Sequence, residues 1–274
     1  MRRRENCVFD VGLYDGDDTA YYLHKGYSVV AIDANPAMVD KAKRRFHAEL
    51  ENGTLSLLNA GITRQAGEQD FFISETFNDW SSFDEANATK DGSSATKIRV
   101  QCIPFSDILK KYDIPYYLKI DIEGNDRLCI EALEPGSLPN YVSIEMSHKR
   151  GDEDIRTLGS VGYTKFKCIR QNDLRPITPW NIARKLAFRR VASRPDIVGK
   201  VLRTLRIAKS RVFPPREGDW QFSQGSSGTF GPDLPGPWIS AEEAVSVWKA
   251  LHDIDQDLSA GGVGEWFDFH ATTG

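Results

Sequence analysis

The sequence predicts an α/β fold in which a mostly parallel sheet lies between two layers of helices. Three observations predict it. Short apolar, strand-like runs alternate with helix-like segments through the first 60 residues. The connections between them are short, and a β-α-β-α-β order with short connections gives parallel strands with right-handed crossovers. The same alternation returns between residues 98 and 170.

The first strand and the first helix enclose a glycine-rich turn. An apolar run over residues 7–11 ends at Gly12 and predicts a strand. Residues 19–25 then predict a helix, with Asp17 or Asp18 as its N-cap. The order at the start of the chain is therefore strand, glycine-rich turn, helix.

The second strand is predicted over residues 27–32. Asn35 then has the position of an N-cap, and Pro36 that of the first helical residue, where its missing N–H costs nothing. The helix is expected to run to about residue 52, and a third strand follows over residues 55–58.

The alternation is interrupted once and then resumes. Residues 68–94 are rich in polar and aromatic side chains, and we interpret them as an excursion at one edge of the sheet. Beyond them the pattern predicts further strands of the same sheet, which should end near residue 170. The strands are expected over residues 98–103, 116–122, 141–146 and 163–169, and the helices over residues 106–112, 126–133 and 154–158.

The composition changes towards the end of the chain. Residues 1–175 are expected to form one domain, and residues 176–274 a basic, helical extension packed on it. The segment 180–212 contains ten Lys and Arg against one Asp, a net charge of +9 in a chain whose net charge is −4. Beyond it, Ser240 and Glu243 have the spacing of a capping box that starts a further helix.

The composition as a whole is that of a folded protein, and it excludes several classes. Hydrophobic residues make up 40% of the chain and charged residues 27%, far from disordered or disulfide-scaffold proteins. The net charge of −4 excludes a uniformly basic nucleic-acid binder, and no stable nucleic-acid complex is expected. No apolar run approaches the roughly 18 residues that a membrane span requires. The four cysteines lie far apart and are expected to be reduced core thiols of a cytoplasmic protein.

The turn after the first strand has the features of a cofactor site but not of a dinucleotide site. Gly12 and Gly16 give a G-x-x-x-G pattern, not the G-x-G-x-x-G that lets a backbone approach a pyrophosphate. Acidic side chains crowd the start of the following helix, which a phosphate-binding turn keeps free for anions. They are Asp15, Asp17 and Asp18. A cationic nucleoside without phosphate fits better, and S-adenosylmethionine is such a ligand.

For this ligand, Asp10 is expected to meet the α-ammonium group and Asp33 the ribose hydroxyls. The residues alone leave an alternative, in which Gly12 and Gly16 only serve a tight turn and Asp33 caps the next helix. An NAD-dependent enzyme is another alternative, and it would be stabilised by NAD and not by S-adenosylmethionine.

Four runs of the sequence resemble the FkbM family of S-adenosylmethionine-dependent methyltransferases. They are residues 8–12 with Gly16, residues 30–36, residues 118–124 and residues 142–145. The most specific of them reads Lys-Ile-Asp-Ile-Glu-Gly from Lys119, and a Gly-Ser-Ser-Gly-Thr-Phe-Gly stretch from Gly225 is similar to a loop of some longer members. The resemblance covers roughly residues 7–170. The chain departs from the family in its first turn, where Tyr14, Asp15 and Asp17 stand in place of small or apolar residues.

The resemblance implies a Rossmann-like class I methyltransferase fold and methyl transfer to a hydroxyl oxygen, commonly on a sugar, glycan or polyketide-like product. By the positions of the family's motifs, three residues would line the methionine and ribose of the cofactor. They are Asp10, Gly12 and Gly16. Asp33 would bind the ribose hydroxyls, and Asn59 and Ala60 would lie near the adenine. Asn59 can equally well close a turn.

Candidate bases follow the later strands. The period of two along a strand places Lys119, Asp121 and Glu123 on one face, with both acids at its carboxyl end. Glu145 reaches the same rim from the next strand, and His148 follows just beyond it. Methyl transfer to an alcohol requires removal of the hydroxyl proton, so Asp121 and His148 are the candidate bases, with Glu145 beside them.

Alternatives remain for these groups and for the basic segment. Asp121 and Glu145 can simply organise the strand ends together with Lys119. Alternatively, a divalent cation such as Mg²⁺ or Mn²⁺ can be held by Asp121, Glu123, Glu145 and His148, although no metal is expected. The segment 180–212 is expected to be helical beside the acceptor cleft and to recruit an anionic partner, such as an acceptor with a phosphate or carboxylate group. Peripheral contact with a membrane is left open. The alternative without a partner is that this segment is a solvated surface helix. A non-catalytic nucleoside-binding adaptor that docks through this segment is the alternative function.

Overall fold

A computed structural model of the chain describes most of its residues. The described ranges are 1–76, 80–89, 92–147, 149–192, 194, 196–212, 214–223, 225–257 and 266–274. They form two compact units, Met1–Ile144 and Glu145–Gly274. The boundary expected from composition near residue 175 lies inside the second unit.

The first unit contains a parallel sheet that confirms the predicted fold class. Its strands are β1 (Arg3–Val11), β2 (Ser28–Asp33), β3 (Leu55–Asn59), β7 (Ile114–Ile120) and β8 (Tyr141–Glu145). They lie in the order β8-β7-β1-β2-β3, and each neighbouring pair is parallel. The strand order reverses direction between β1 and β7. Ligands of open α/β sheets bind at the carboxyl ends of the strands beside such a reversal.

The predicted helices of the first unit are present in the predicted order, together with a short helix at Glu85–Ala88 that the sequence did not predict. They are α1 (Asp17–His24), α2 (Pro36–Arg45), α3 (His47–Glu51), α4 (Glu85–Ala88), α5 (Phe105–Tyr112) and α6 (Asp126–Glu131). Asn35 caps α2 as predicted, and its side chain accepts a hydrogen bond from the N–H of Ala37 at 3.0 Å. The N-cap of α1 is Gly16, not Asp17 or Asp18.

The helix expected to reach residue 52 is interrupted at Phe46. This residue leaves the helical region, with a φ of −112° and a ψ of 34°, and it separates α2 from α3. Its ring is buried and lies close to Gly16. The aromatic packing therefore overrides the helical periodicity that continues on both sides of it.

The strand expected over residues 98–103 does not join the main sheet. A separate three-stranded sheet contains β4 (Gly61–Ile62), β5 (Gly67–Ser74) and β6 (Ala95–Ile103), in the order β4-β6-β5 with β5 and β6 antiparallel. Only one face of β6 is apolar, and it packs on Phe71 of β5. A strand inside a parallel sheet has to be buried on both faces.

The second unit contains an antiparallel sheet that the sequence did not predict. Its strands β9 (Lys165–Arg170), β10 (Arg175–Ile177) and β13 (Phe267–Thr272) lie in the order β10-β9-β13. The expectation that the sheet strands end near residue 170 was therefore wrong. A short hairpin is formed by β11 (Arg216–Glu217) and β12 (Trp220–Gln221).

The described residues of the second unit also form α-helices. They are α7 (Gly151–Val161), α8 (Ile182–Ala192), α9 (Ile197–Val212) and α10 (Ala241–Asp257). The capping box of α10 forms as predicted, because the N–H of Ser240 donates to Glu243 Oε2 at 2.9 Å and the N–H of Glu243 donates to Ser240 Oγ at 3.2 Å. The helices predicted in the basic segment are present as α8 and α9.

The four cysteines are free and buried, as expected for core thiols. Within the described ranges, no helix combines the length and the apolar content needed to cross a bilayer.

Candidate active site

The turn after β1 brings the ends of three strands together. The N–H groups of Gly12 and Leu13 both donate to the carbonyl oxygen of Ile32, at 2.9 and 3.1 Å. Gly12 has a φ of +92°, and a Cβ atom built on it would lie 1.7 Å from the carbonyl oxygen of Asp121. Only glycine permits this approach. The turn is therefore in direct backbone contact with the segment that follows β7.

The second glycine of the pattern is needed for a different reason. Gly16 has a φ of +83°, and its Cβ would lie 2.8 Å from the ring of Phe46. It is the N-cap of α1, and between the two glycines Tyr14 has a positive φ of 50° and an exposed ring. The G-x-x-x-G spacing thus fixes the start of α1 against α2.

Asp33 holds the two turns at the ends of β1 and β2. Its Oδ2 accepts a hydrogen bond from the backbone N–H of Tyr14 at 2.8 Å, and its Oδ1 accepts one from the N–H of Asn35 at 2.8 Å. Desolvation raises the pKa of Asp33 to about 6, against the lowering effect of these two N–H groups and of Lys119. A carboxylate has about four lone-pair positions, so each oxygen can still accept a further hydrogen bond.

A buried lysine lies at the centre of the site. Lys119 of β7 donates from Nζ to the carbonyl oxygen of Gly12 at 2.7 Å. The same Nζ lies 3.1 Å from Asp10 Oδ1, 3.9 Å from Asp18 Oδ2 and 4.0 Å from Asp121 Oδ2. Burial lowers the pKa of Lys119, but these carboxylates outweigh it and hold the pKa well above its usual value. The lysine is therefore a permanent cation.

Asp10 occupies a different position from the one expected. Its side chain is completely buried, and its Oδ2 accepts a hydrogen bond from Thr19 Oγ1 at 2.6 Å while its Oδ1 faces Lys119. A side chain with no exposed surface cannot meet an α-ammonium group directly, so that expectation does not fit this geometry. Asp10 and Lys119 are directly opposite each other in the pairing of β1 with β7. The sequence shows both residues, but only the strand register pairs them.

Asp121 and Glu123 do not share a strand face. β7 ends at Ile120, Asp121 follows with 26% of its side chain exposed, and Glu123 lies in a turn with a φ of +51°. Asp126 accepts hydrogen bonds of 2.9 Å from the N–H groups of Ile122 and Gly124, which fixes this turn. The period-of-two argument therefore fails at Glu123, because the chain has left the strand.

Asn59 and Ala60 close the turn that follows β2. Asn59 Nδ2 donates to the carbonyl oxygens of Asp33 and Ala34, at 3.0 and 3.2 Å, and the N–H of Ala60 donates to the carbonyl oxygen of Asp33 at 3.0 Å. The turn-closing role that the sequence left open for Asn59 is thus present. Both residues lie directly beside Asp33, at the same end of the sheet.

The sequence offered two further candidate bases, Glu145 and His148. Glu145 is the last residue of β8, is partly buried and belongs to the second unit, and His148 lies outside the described residues. In the part of the chain that the structure describes, no three His, Cys, Asp or Glu side chains are grouped as metal ligands. The structure therefore brings together seven of the predicted site residues: Asp10, Gly12, Gly16, Asp33, Asn59, Ala60 and Asp121.

Comparison with known proteins identifies one matching family. Residues 10–172 match the family model described as the methyltransferase FkbM domain, which covers more than half of the chain. Among curated proteins, the comparison found none that matches.

Several solved structures are similar to the chain at low sequence identity. A methyltransferase FkbM from Methylobacillus flagellatus KT is 16% identical over 58% of this chain and 38% of its own, with a TM-score of 0.39. Phosphoethanolamine N-methyltransferase 2 from Haemonchus contortus, solved with S-adenosyl-L-methionine, is 13% identical over 99% of this chain and 49% of its own, with a TM-score of 0.36. A methyltransferase from Thiobacillus denitrificans, solved with S-adenosyl-L-homocysteine, is 10% identical over 98% and 86%, with a TM-score of 0.35. The chain thus spans less than half the length of the first two.

Proposed function

The chain belongs to the FkbM methyltransferase family, as its sequence predicted, and on this premise we propose that it is an S-adenosylmethionine-dependent O-methyltransferase. The acceptor we propose is a hydroxyl group on a sugar, glycan or polyketide-like small molecule. The observation that carries the proposal is the position of Asp33, whose carboxylate is fixed by two backbone N–H groups at the carboxyl end of β2 and can still accept hydrogen bonds.

Asp33 is suited to a ribose. Two vicinal hydroxyls need an acceptor that is already fixed in position, because a mobile side chain would lose rotamer entropy on binding. The hydrogen bonds from Tyr14 and Asn35 remove that freedom before the ligand arrives. Asn59 and Ala60, beside Asp33, are proposed to border the adenine, with the amide of Asn59 holding the turn rather than the base.

The charges around the turn favour a ligand without phosphate. Asp17 and Asp18 occupy the first turn of α1, and Asp17 pairs with Arg45 at 2.6 Å. Acids at a helix N-terminus compensate the positive end of the helix dipole, which a phosphate would otherwise use. The sulfonium and ammonium groups of S-adenosylmethionine avoid that conflict.

Lys119 and Asp10 are proposed as positioning residues for the turn. The Lys119 ammonium holds the carbonyl oxygen of Gly12 at 2.7 Å, and the buried Asp10 holds the ammonium. Because both groups lie within the protein, the turn keeps its shape when the site is empty. Gly12 and Gly16 then contribute backbone surface to the methionine end of the cofactor.

The bound cofactor supplies an activated methyl group, and the chain has to align the acceptor oxygen and remove its proton. Asp121 is the proposed base, because its carboxylate is partly exposed and follows the strand next to the turn. Lys119 lies 4.0 Å from it and keeps its carboxylate oriented. Glu145 and His148 remain the alternative bases.

We also propose a cytoplasmic location. Four free, buried thiols are typical of a protein that folds in a reducing compartment.

The decisive experiment measures turnover. The purified chain is incubated with S-adenosylmethionine and a panel of hydroxylated sugars, glycans and polyketide alcohols, and S-adenosylhomocysteine is quantified. We expect S-adenosylhomocysteine to form with at least one acceptor, and the methylated product to contain a methyl ether. Thermal stabilisation by NAD but not by S-adenosylmethionine would overturn the cofactor assignment. Tight binding of S-adenosylmethionine without turnover on any acceptor would favour the non-catalytic adaptor.

A further inference from the structure

Exposed apolar side chains are concentrated on α8 and α9. Ten large hydrophobic side chains are exposed in the described part of the chain, and seven of them lie between residues 180 and 205. They are Trp180, Phe188, Val191, Ile197, Val198, Val201 and Leu205. Single exposed apolar residues are ordinary, but a concentration on two adjacent helices marks an interaction surface.

The apolar residues of α9 form a stripe. Ile197, Val201 and Leu205 recur every fourth residue, so they lie along one side of the helix, and their exposed fractions are 79%, 49% and 60%. Val198 lies beside them and is 51% exposed. A stripe that faced the protein core would be buried. This one faces outward.

The same helices carry exposed cations. Arg184 and Arg190 of α8 and Lys200 of α9 are exposed, and Arg194 between the helices pairs with Asp196 at 2.7 Å. Arg189 is an exception, since its side chain is buried and is not available to a partner. The segment 180–212 carries +9, whereas the rest of the chain accounts for −13 of the total charge of −4.

We propose that α8 and α9 dock on the surface of an anionic lipid bilayer. The exposed cations would meet lipid phosphates and carboxylates, while Trp180 and the α9 stripe enter the boundary between headgroups and acyl chains. A helix with an apolar stripe and a basic remainder is the pattern of an interfacial helix. The inference does not depend on the methyl-transfer reaction.

Two other partners fit the surface less well. A nucleic acid would use the cations but would leave the aliphatic stripe in water, because phosphate contacts need no row of Val, Ile and Leu side chains. A second copy of the chain would cover the stripe. A two-fold contact through this patch, however, would place one +9 segment against another, and like charges at such a contact repel.

The experiment compares vesicle binding by the full chain and by three variants. The vesicles contain phosphatidylcholine alone or with about 30% phosphatidylserine, and binding is measured by sedimentation at about 0.1 M and about 0.5 M NaCl. The cation variant replaces Arg184, Arg190 and Lys200 by Gln. The stripe variant replaces Ile197, Val201 and Leu205 by Gln. The matched control replaces Lys41, Arg44 and Lys249, which are exposed cations outside the segment, by Gln.

The wild-type chain should bind the phosphatidylserine vesicles at low salt and not the neutral ones. Each cation near an anionic surface contributes about fivefold in affinity, so the cation variant should bind about 10²-fold more weakly and the control close to wild type. The stripe variant should also lose binding, even though its charge is unchanged. Circular dichroism and the Tm verify that all variants are folded.

Several results would overturn the proposal. One is an absence of vesicle binding by the wild-type chain, and another is equal binding by the control and cation variants. Tighter binding to duplex DNA or single-stranded RNA than to the vesicles would assign the surface to a nucleic acid. A wild-type dimer that the stripe variant converts to a monomer, without vesicle binding by either, would assign it to self-association. An acceptor KM that rises with salt without any vesicle binding would assign the cations to the acceptor.

Discussion

The carboxylate of Asp33 accepts a 2.8 Å hydrogen bond from the backbone N–H of Tyr14, across the ends of two neighbouring strands. Its other oxygen accepts from Asn35 at the start of the next helix. One side chain therefore fixes the loop after β1 and the loop after β2 at once. A ligand that contacts both loops therefore meets two loops whose positions Asp33 has already fixed.

Replacing Asp33 by Ala should weaken S-adenosylmethionine binding by about 1–3 kcal/mol, the cost of leaving hydrogen-bonding groups without their charged acceptor. Isothermal titration measures the change. Asp40→Ala is the matched control, because it removes an exposed carboxylate of α2 that pairs with the exposed Lys43. Equal affinities of wild type and Asp33→Ala would remove Asp33 from the ribose site.

Cofactor affinity should also depend on pH. The pKa of Asp33 is about 6, so acidification through that value neutralises the acceptor and should raise the Kd by up to about tenfold per pH unit below it. Because this pKa is above the unfolded value of about 4, the folded state binds the proton first. The stability that this proton adds therefore grows as the pH falls from about 6 to about 4, and it is lost again as the pH rises. Weaker cofactor binding in this pH range therefore does not result from unfolding caused by protonation of Asp33. The Asp33→Asn variant should bind S-adenosylmethionine weakly, and its Kd should not change with pH in this range. The same pH dependence in that variant would refute the assignment of Asp33 to the cofactor site.

Gly12→Ala should displace the segment after β7. The added Cβ would meet the carbonyl oxygen of Asp121 at 1.7 Å, in a backbone conformation that costs an L-residue about 1–2 kcal/mol even without a clash. Gly26→Ala is the control, since Gly26 has a φ of +85° but nothing within 4 Å of the added atom. The Gly26 variant should lose about 1 kcal/mol of stability in denaturant titration, and the Gly12 variant more than twice that, together with cofactor binding. Similar losses for both would show that the close approach is unimportant.

Lys119→Met should destabilise the chain by about 3–5 kcal/mol, because it leaves buried carboxylates without their cation. Asp10 loses its charged partner, and Asp18 and Asp121 lose theirs at 3.9 and 4.0 Å. Adding Asp10→Asn to the Met variant should restore part of the stability, since one uncompensated charge is gone. A double variant less stable than Lys119→Met would contradict this account of the pair.

Asp121→Asn should lower kcat at least about 10²-fold if Asp121 removes the acceptor proton, while the cofactor Kd changes little. Asp107→Asn, an exposed acid on α5, serves as the control for charge removal. Near-wild-type kcat at saturating cofactor would transfer the proton step to Glu145 or His148.

The first half of the fold could be predicted because its signals are local. Apolar runs end at Gly12 and Asp33, and the adjacent residues Asn35 and Pro36 mark the start of α2. The last strand, β13, could not be predicted in this way. It pairs with β9, about a hundred residues earlier in the chain, and no local sequence pattern predicts an antiparallel partner at that separation.

The layout of the candidate site was predictable to the same extent. Residue type and strand-end position placed Asp33, Gly12 and Asp121 at one end of the sheet, because these signals lie within short motifs. The contact of Lys119 with Asp10 depends on the register of β1 against β7, which sequence spacing does not define. Burial of Asp10 follows from that register, and it is the reason why we propose that Asp10 supports the turn and does not contact the ligand.

The contact between the Gly12 backbone and the Asp121 carbonyl has a consequence for engineering the acceptor range. The N–H of Asp121 also donates to the carbonyl oxygen of Val11 at 2.9 Å, so a displacement of the Asp121 backbone would be transmitted to the turn at Gly12. A substitution that moves this backbone to suit a bulkier alcohol is therefore expected to disturb the proposed cofactor site as well. Changes in acceptor preference are therefore best sought in side chains that touch neither backbone.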